Sequence, residues 1–179
     1  ISSDSKGNVT IWDWRAKKPI KSWKGVPQGT RGLAVYPQNK WVAICDQDNV
    51  AVWNYETQER LAFLPGSSWL AFSPNGALLG AAHTDDAKDS RDAIIWDTAT
   101  WKQSRLLQGH KSLVLNGSFS PDSTTLMTSS TDRTVRRWNL QTGKEMEPPW
   151  TRPLPSFRVA YLPDGKHIAE AQPSAVMWS

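Results

Sequence analysis

The chain has 179 residues, of which 39% are hydrophobic, with 11 tryptophans, one cysteine and a formal charge of +4. That length fits one domain. The lone Cys45 excludes an intrachain disulfide framework and fits a reducing, cytoplasmic setting, and no apolar run approaches a membrane span.

In chain order, Ile1-Ser2-Ser3 reads as the tail of a strand, and VTIWDW as a second strand carrying Trp12. A short strand follows over Pro19–Trp23. Residues 33–53 read as strand, tight turn, strand (41–45), turn (46–49) and strand (50–53), the last closing at Trp53, with Arg60–Leu64 after it. WLAF, a turn and ALLGAA come next, then a long loop from His83 to Asp92, AIIW closing at Trp96, and Gln103–Leu107. Leu113–Phe119, Thr124–Ser129 and Val135–Trp138 follow, with a weak strand over Lys144–Met146. A strand before Pro163, one opening at His167, and AVMW closing at Trp178 complete the chain. The tight turns share one chemistry: Tyr36-Pro37-Gln38-Asn39, Ser73-Pro74-Asn75-Gly76, Ser120-Pro121-Asp122-Ser123 and Leu162-Pro163-Asp164-Gly165. Proline at the second place pre-sets φ, and Asn, Asp or Gly fit the places after it. No segment sustains a 3.6-residue apolar period, so essentially no helix is expected.

Trp12, Trp53, Trp96, Trp138 and Trp178 lie 41, 43, 42 and 40 residues apart. A unit of that size cannot bury its own apolar face, so the fold comes from stacking neighbours. The units resemble WD40 repeats, most closely over Gly109–Leu140. That resemblance implies an all-β, WD40-type β-propeller with antiparallel four-stranded blades, about three of them complete and partial blades at both ends. The repeat units fall at about 1–14, 15–55, 56–98, 99–140 and 141–179 of a single repeat domain. The resemblance also implies a structural tetrad in the best unit: His110 of the Gly-His pair, Thr128 ten residues before the indole, Asp132 six before it, and Trp138 itself. In such a buried polar network the carboxylate fixes the imidazole tautomer and the indole N–H finds an acceptor. Elsewhere the pattern decays. Gly29-Thr30 and Gln47 stand in those places before Trp53, Gly66-Ser67 and a long insertion before Trp96, and Gln172 before Trp178. Those blades are expected to rely on apolar packing.

The start at Ile1 and the stop just after Trp178 are read as a piece of a larger propeller of about seven or eight blades. The missing blades would come from the rest of the protein. Closure by self-association into a double-length ring is the alternative, and a four-bladed ring is disfavoured. Trp14, Trp23, Trp41, Trp69 and Trp101 are expected to pack between blades, and Trp150, in a Pro-rich connector, to be exposed.

The densest basic stretch, Arg15 to Lys24, has an aromatic inside it and raises the question of nucleic acid. Lysines protecting an exposed sheet edge explain it better, so nucleic acid is disfavoured as a partner. The acidic loop from His83 to Asp92 lacks the alternate-position oxygens and central Gly of a calcium loop, so no metal is expected. None of the three histidines sits in a nucleophile motif, and no phosphate-cradling loop or paired cysteines occur, so neither catalysis nor a cofactor is expected.

The resemblance implies instead a scaffold or sensor that binds a protein or peptide, with no membrane role; an accessory domain of an enzyme or nucleic-acid assembly is the alternative. Partner contacts in this family gather at the start of each innermost strand. Six residues before each turn proline stand Arg31, Ser68, Leu115 and Phe157, with Leu113 and Pro155 two residues earlier. Exposed Leu and Phe beside an arginine would make an anchor set, although some of these side chains could instead point into the sheet packing.

Overall fold

A computed structural model describes residues 1–83 and 91–171. The strand at Trp178, Gln172 and most of the His83–Asp92 loop lie outside the described residues. The chain divides into two compact units, Ile1–Leu70 and Ala71–Ser179.

Among the described residues seventeen strands form five antiparallel sheets, and neighbours in each sheet are neighbours in sequence. β1 (Ser2–Ser3), β2 (Asn8–Asp13) and β3 (Lys18–Lys24) make a three-stranded sheet. β4 (Gly32–Tyr36), β5 (Trp41–Cys45), β6 (Asn49–Asn54) and β7 (Arg60–Pro65) make the first four-stranded blade. β8 (Ser67–Phe72), β9 (Leu78–Ala82), β10 (Ala93–Asp97) and β11 (Lys102–Leu107) make the second. The third holds β12 (Val114–Phe119), β13 (Thr125–Ser130), β14 (Thr134–Asn139) and β15 (Trp150–Thr151), and β16 (Arg158–Tyr161) pairs with β17 (Ile168–Ala171). Among the described residues the only helix is one 3-10 turn, Pro37–Asn39.

Burial follows strand position. β5 and β10 carry near-continuous apolar runs (VAIC, AIIW) because both of their faces are covered, and they are almost wholly buried. The outermost strand β3 is exposed along nearly its whole length. In the first unit Val9, Val26, Val42, Ile44 and Ala51 form a core with Trp23 and Trp53 packed edge to face at 6.3 Å. In the second, Met127, Val135 and Val159 pack with Trp150, Tyr161 and Ile168. Cys45 ends β5 fully buried, and burial pushes its thiol up to about 12.

Two turns repeat. After Ser73, Ser120 and Leu162 the amide of the fourth residue bonds back to the first carbonyl, at 2.8, 2.8 and 3.0 Å. Gly76, Ser123 and Gly165 there hold φ of 71°, 62° and 67°. The turn at Tyr36 runs one residue longer, because Lys40 rather than Asn39 takes the left-handed place, with φ 61°. Five residues beyond each described strand-closing Trp, Lys17, Gln58, Trp101 and Gly143 hold φ between 55° and 72°. An Asp or Asn directly after the Trp accepts the amides that shape this turn. The pairing of the last two strands also slips by one residue beside the Trp, leaving Ile20, Leu61 and Ser104 as extra residues.

Three expectations fail. The fourth strand of the third blade is Trp150–Thr151, not Lys144–Met146, where Glu145 makes only one bridge to Trp138. Trp150 is therefore half-buried rather than exposed, held opposite Val135 and packed on the second core. Trp14 does not pack between blades: it lies in the β2–β3 turn and is 78% exposed.

Candidate functional site

His110, Thr128, Asp132 and Trp138 meet in the third blade. Cross-strand register sets the frame, with Thr128 on β13 opposite Arg136 and Leu126 opposite Trp138. Asp132 stands in the β13–β14 turn, which Arg133 closes with φ 66°, and His110 comes from the loop after β11. Trp138 Nε1 donates to Thr128 Oγ1 at 2.8 Å. Thr128 Oγ1 lies 2.8 Å from His110 Nε2, and His110 Nδ1 lies 3.0 Å from Asp132 Oδ2.

The proton positions follow. An indole N–H can only donate, so Thr128 Oγ1 accepts from Trp138 and turns its own proton to Nε2. Nε2 is then the acceptor, and the imidazole proton sits on Nδ1, facing the carboxylate. Burial lowers the His110 pKa, outweighing the pull of Asp132, so the ring is neutral near pH 7. Burial alone would raise Asp132, but the Thr134 hydroxyl and the Lys111 amide donate to it and, with His110, hold it down to about 2. A neutral ring is thus clamped to an ionised carboxylate.

Threonine, histidine and aspartate in this order mimic a nucleophile–base–orienter relay. Two observations speak against chemistry here. Thr128 is 0% exposed, and its oxygen already accepts the Trp138 proton. An attacking hydroxyl needs access, and this oxygen is sealed from solvent and held between the indole and the imidazole, so the arrangement joins strands rather than reaching a substrate.

The other blades solve the indole's problem differently. Trp12 Nε1 donates to Ser2 Oγ at 2.8 Å, and Ser2 sits opposite Thr10, the register place that Thr128 holds in the third blade. Ile44 and Ala81 occupy that place in the first and second blades and offer no hydroxyl. Trp53 turns its N–H to the Gly25 carbonyl at 3.1 Å, and the buried Trp96 Nε1 has no partner among the described residues. Two carboxylates escaped the sequence reading. Asp4 and the fully buried Asp46 stand in second-to-third strand turns, as Asp132 does, and accept the following amides. They lie eight and seven residues before their tryptophans, not six, because these turns differ in length. The legible signal was an Asp just past the end of the second strand.

The candidate contact residues fall in unlike places. Arg31 is exposed, its amide donating to Cys45 O at 2.8 Å and its guanidinium reaching Gln47 Oε1 at 3.4 Å. Ser68 is half-buried in β8 with φ 66°. Leu113 and Phe157 are exposed, at 39% and 51%. Leu115 is the extra residue of a bulge between Val114 and Asn116 and is half-buried, as is Pro155. In the second unit β12 and β16 lie side by side: Asn116 Oδ1 accepts the Val159 amide at 2.9 Å, and Ser118 Oγ the Tyr161 amide at 3.1 Å. Phe157, just before β16, thus starts a strand laid against β12. Among the described residues no three His, Cys, Asp or Glu side chains are grouped to hold a metal.

Repeated antiparallel four-stranded blades, each with a tryptophan closing its third strand, are consistent with WD40-type propeller blades. The family model for "WD domain, G-beta repeat" matches residues 101–139, the unit that carries the tetrad. A periodic tryptophan protein 2 homolog of Schizosaccharomyces pombe is 29% identical over 104 residues, 58% of this chain and 12% of that protein. The guanine nucleotide-binding protein subunit beta of Oryza sativa is 31% identical over 124 residues, 62% of this chain and 31% of that protein. Subunit I of eukaryotic translation initiation factor 3 from Aspergillus fumigatus is 35% identical over 81 residues, 44% of this chain and 24% of that protein. The chain therefore spans less than a third of the length of these relatives. Residues 101–139 carry a WD repeat, and the relatives that the chain is similar to are WD-repeat proteins.

Proposed function

We propose that the chain is a non-catalytic, cytoplasmic protein–protein interaction module, part of a larger WD-repeat protein that completes its blades. The observation that carries this reading is the contrast within the inner strands. Their bodies are hydrogen-bonded to the second strands, and those of β8 and β12 are half-buried or buried throughout, while Arg31, Leu113 and Phe157 at the strand starts are exposed. Large apolar side chains held open on a rigid frame cost solvation in the free protein and are recovered on docking. Two of the relatives are named as subunits, which supports work within an assembly. Ser68, Leu115 and Pro155 flank these anchors as lesser contacts. The tetrad of His110, Thr128, Asp132 and Trp138 serves the frame and not the partner.

The test is the double substitution Arg31→Ala with Phe157→Ala in the full-length protein, followed by affinity capture. Loss of captured partners with an unchanged circular dichroism spectrum is expected; capture at the wild-type level refutes the role of these two positions.

A further inference from the structure

The basic stretch needs a second reading, because the structure separates its cations by what they do. From Trp14 to Lys24 there are five cations (Arg15, Lys17, Lys18, Lys21 and Lys24) and no carboxylate. Lys21 Nζ donates to the Glu56 carbonyl at 2.6 Å, and Lys24 Nζ donates to the Lys6 carbonyl. These two are committed to the frame. Arg15, Lys17 and Lys18 are exposed, with no carboxylate partner among the described residues.

The β2–β3 turn presents these three cations with apolar surface. Asp13 Oδ1 accepts the Arg15 and Ala16 amides at 2.9 and 3.0 Å, and Lys17 closes the turn with φ 55°. This lifts Trp14 clear of the sheet, the most exposed large apolar side chain among the described residues, with the Arg15 guanidinium 5.6 Å from its ring centre. Ile20, the extra residue of the bulge, is 60% exposed between Lys18 and Lys21.

We propose that this turn and the outer face of β3 dock an extended acidic segment of a protein partner, its carboxylates against Arg15, Lys17 and Lys18 and an apolar side chain on Trp14 and Ile20. This rests on the interaction-module reading but uses a different surface from Arg31 and Phe157. Charge complementarity selects the occupant: a second copy would bring lysines to lysines, whereas an acidic segment offsets them. The bulge and Pro19, which has no N–H, interrupt the ladder along β3. The segment is therefore held by its side chains and does not extend the sheet. A polynucleotide fits less well, because the exposed apolar Ile20 beside the cations offers nothing to phosphates.

The test is a fluorescence titration of the chain with a blocked peptide of alternating Glu and Val. A Gln–Val peptide and an oligothymidylate of the same length serve as comparisons. Saturable binding by the Glu peptide alone is expected, weakening by about tenfold as salt rises to physiological strength and above. Lys17→Glu with Lys18→Glu, and separately Trp14→Ala, should each weaken it by about tenfold or more, with the circular dichroism spectrum unchanged. Equal binding of the Gln peptide, tighter binding of the oligothymidylate, or unchanged binding by the Lys17/Lys18 variant would overturn the proposal. The Arg31/Phe157 variant should bind the peptide normally, so failure of that face and failure of this one are told apart.

Discussion

Thr128→Val is the most direct test of what the buried network does for the blade. Valine keeps the branched shape and deletes the oxygen on which two 2.8 Å bonds converge. The site is fully buried, so water cannot replace that oxygen. Trp138 Nε1–H loses its acceptor and His110 Nε2 its donor. Each orphaned buried group costs about 1–3 kcal/mol, and the added methyl returns about 1 kcal/mol. The expected net loss is about 1–5 kcal/mol, which lowers a urea midpoint by about 0.5–2.5 M for an m-value near 2 kcal/mol/M. Thr128→Ser, which keeps the hydroxyl, should lose only about 1 kcal/mol. In a Trp138→Phe background, Thr128→Val should cost less by about 1 kcal/mol, because one of its two victims is already gone. Equal midpoints for wild type, Thr128→Val and Thr128→Ser would refute the argument that this network stabilises the blade.

Acid should act in two windows. The His110 pKa is lowered in the fold from 6.5, so its contribution is complete above 6.5 and is lost as pH falls through the lower folded value. Asp132, held to about 2 against 3.8 unfolded, keeps its contribution above 3.8 and loses it towards about 2. Urea midpoints at neutral and mildly acidic pH should therefore diverge in wild type and converge in His110→Gln; a pH-independent wild type would contradict the assignment. At the turns after the tryptophans, Gln58→Gly should stabilise by about 0.5–1 kcal/mol and Gly143→Ala should destabilise by about 1 kcal/mol, read from thermal melts, since both places hold a left-handed backbone. Gly7→Ala should cost about 2–4 kcal/mol, because a Cβ at φ 79° would overlap the carbonyl oxygens of Val26 and Gln28. A melting temperature within a degree or two of wild type would count against that.

Most of the blade plan was written in local chemistry. The Pro-turn tetrapeptides and the tryptophan period recur at fixed places in each repeat, so β5, β6 and β14 could be placed within a residue or two. What escaped depended on a partner strand or on loop length. The fourth strand of the third blade is two residues long, and its place is set by pairing with Thr134 and Val135, not by propensity. Asp4 and Asp46 were hidden because a count back from the tryptophan assumes a fixed turn length. The bulge at Leu115 likewise broke an offset counted from Pro121, since one extra residue moves a side chain to the other face. Trp14 and Trp150 exchanged their expected surroundings for a similar reason: one falls in a turn, the other in a strand that its neighbours create.

Cys45 gives the first blade a built-in reporter. With its thiol pushed up to about 12 by burial, it stays protonated at neutral pH, and the sulfur is sealed from reagents. Alkylation of the native protein must therefore wait for the strand to open, and its rate measures how often that happens. The same thiol survives oxidants while the blade stays shut, so damage at this position records unfolding and not exposure to the oxidant.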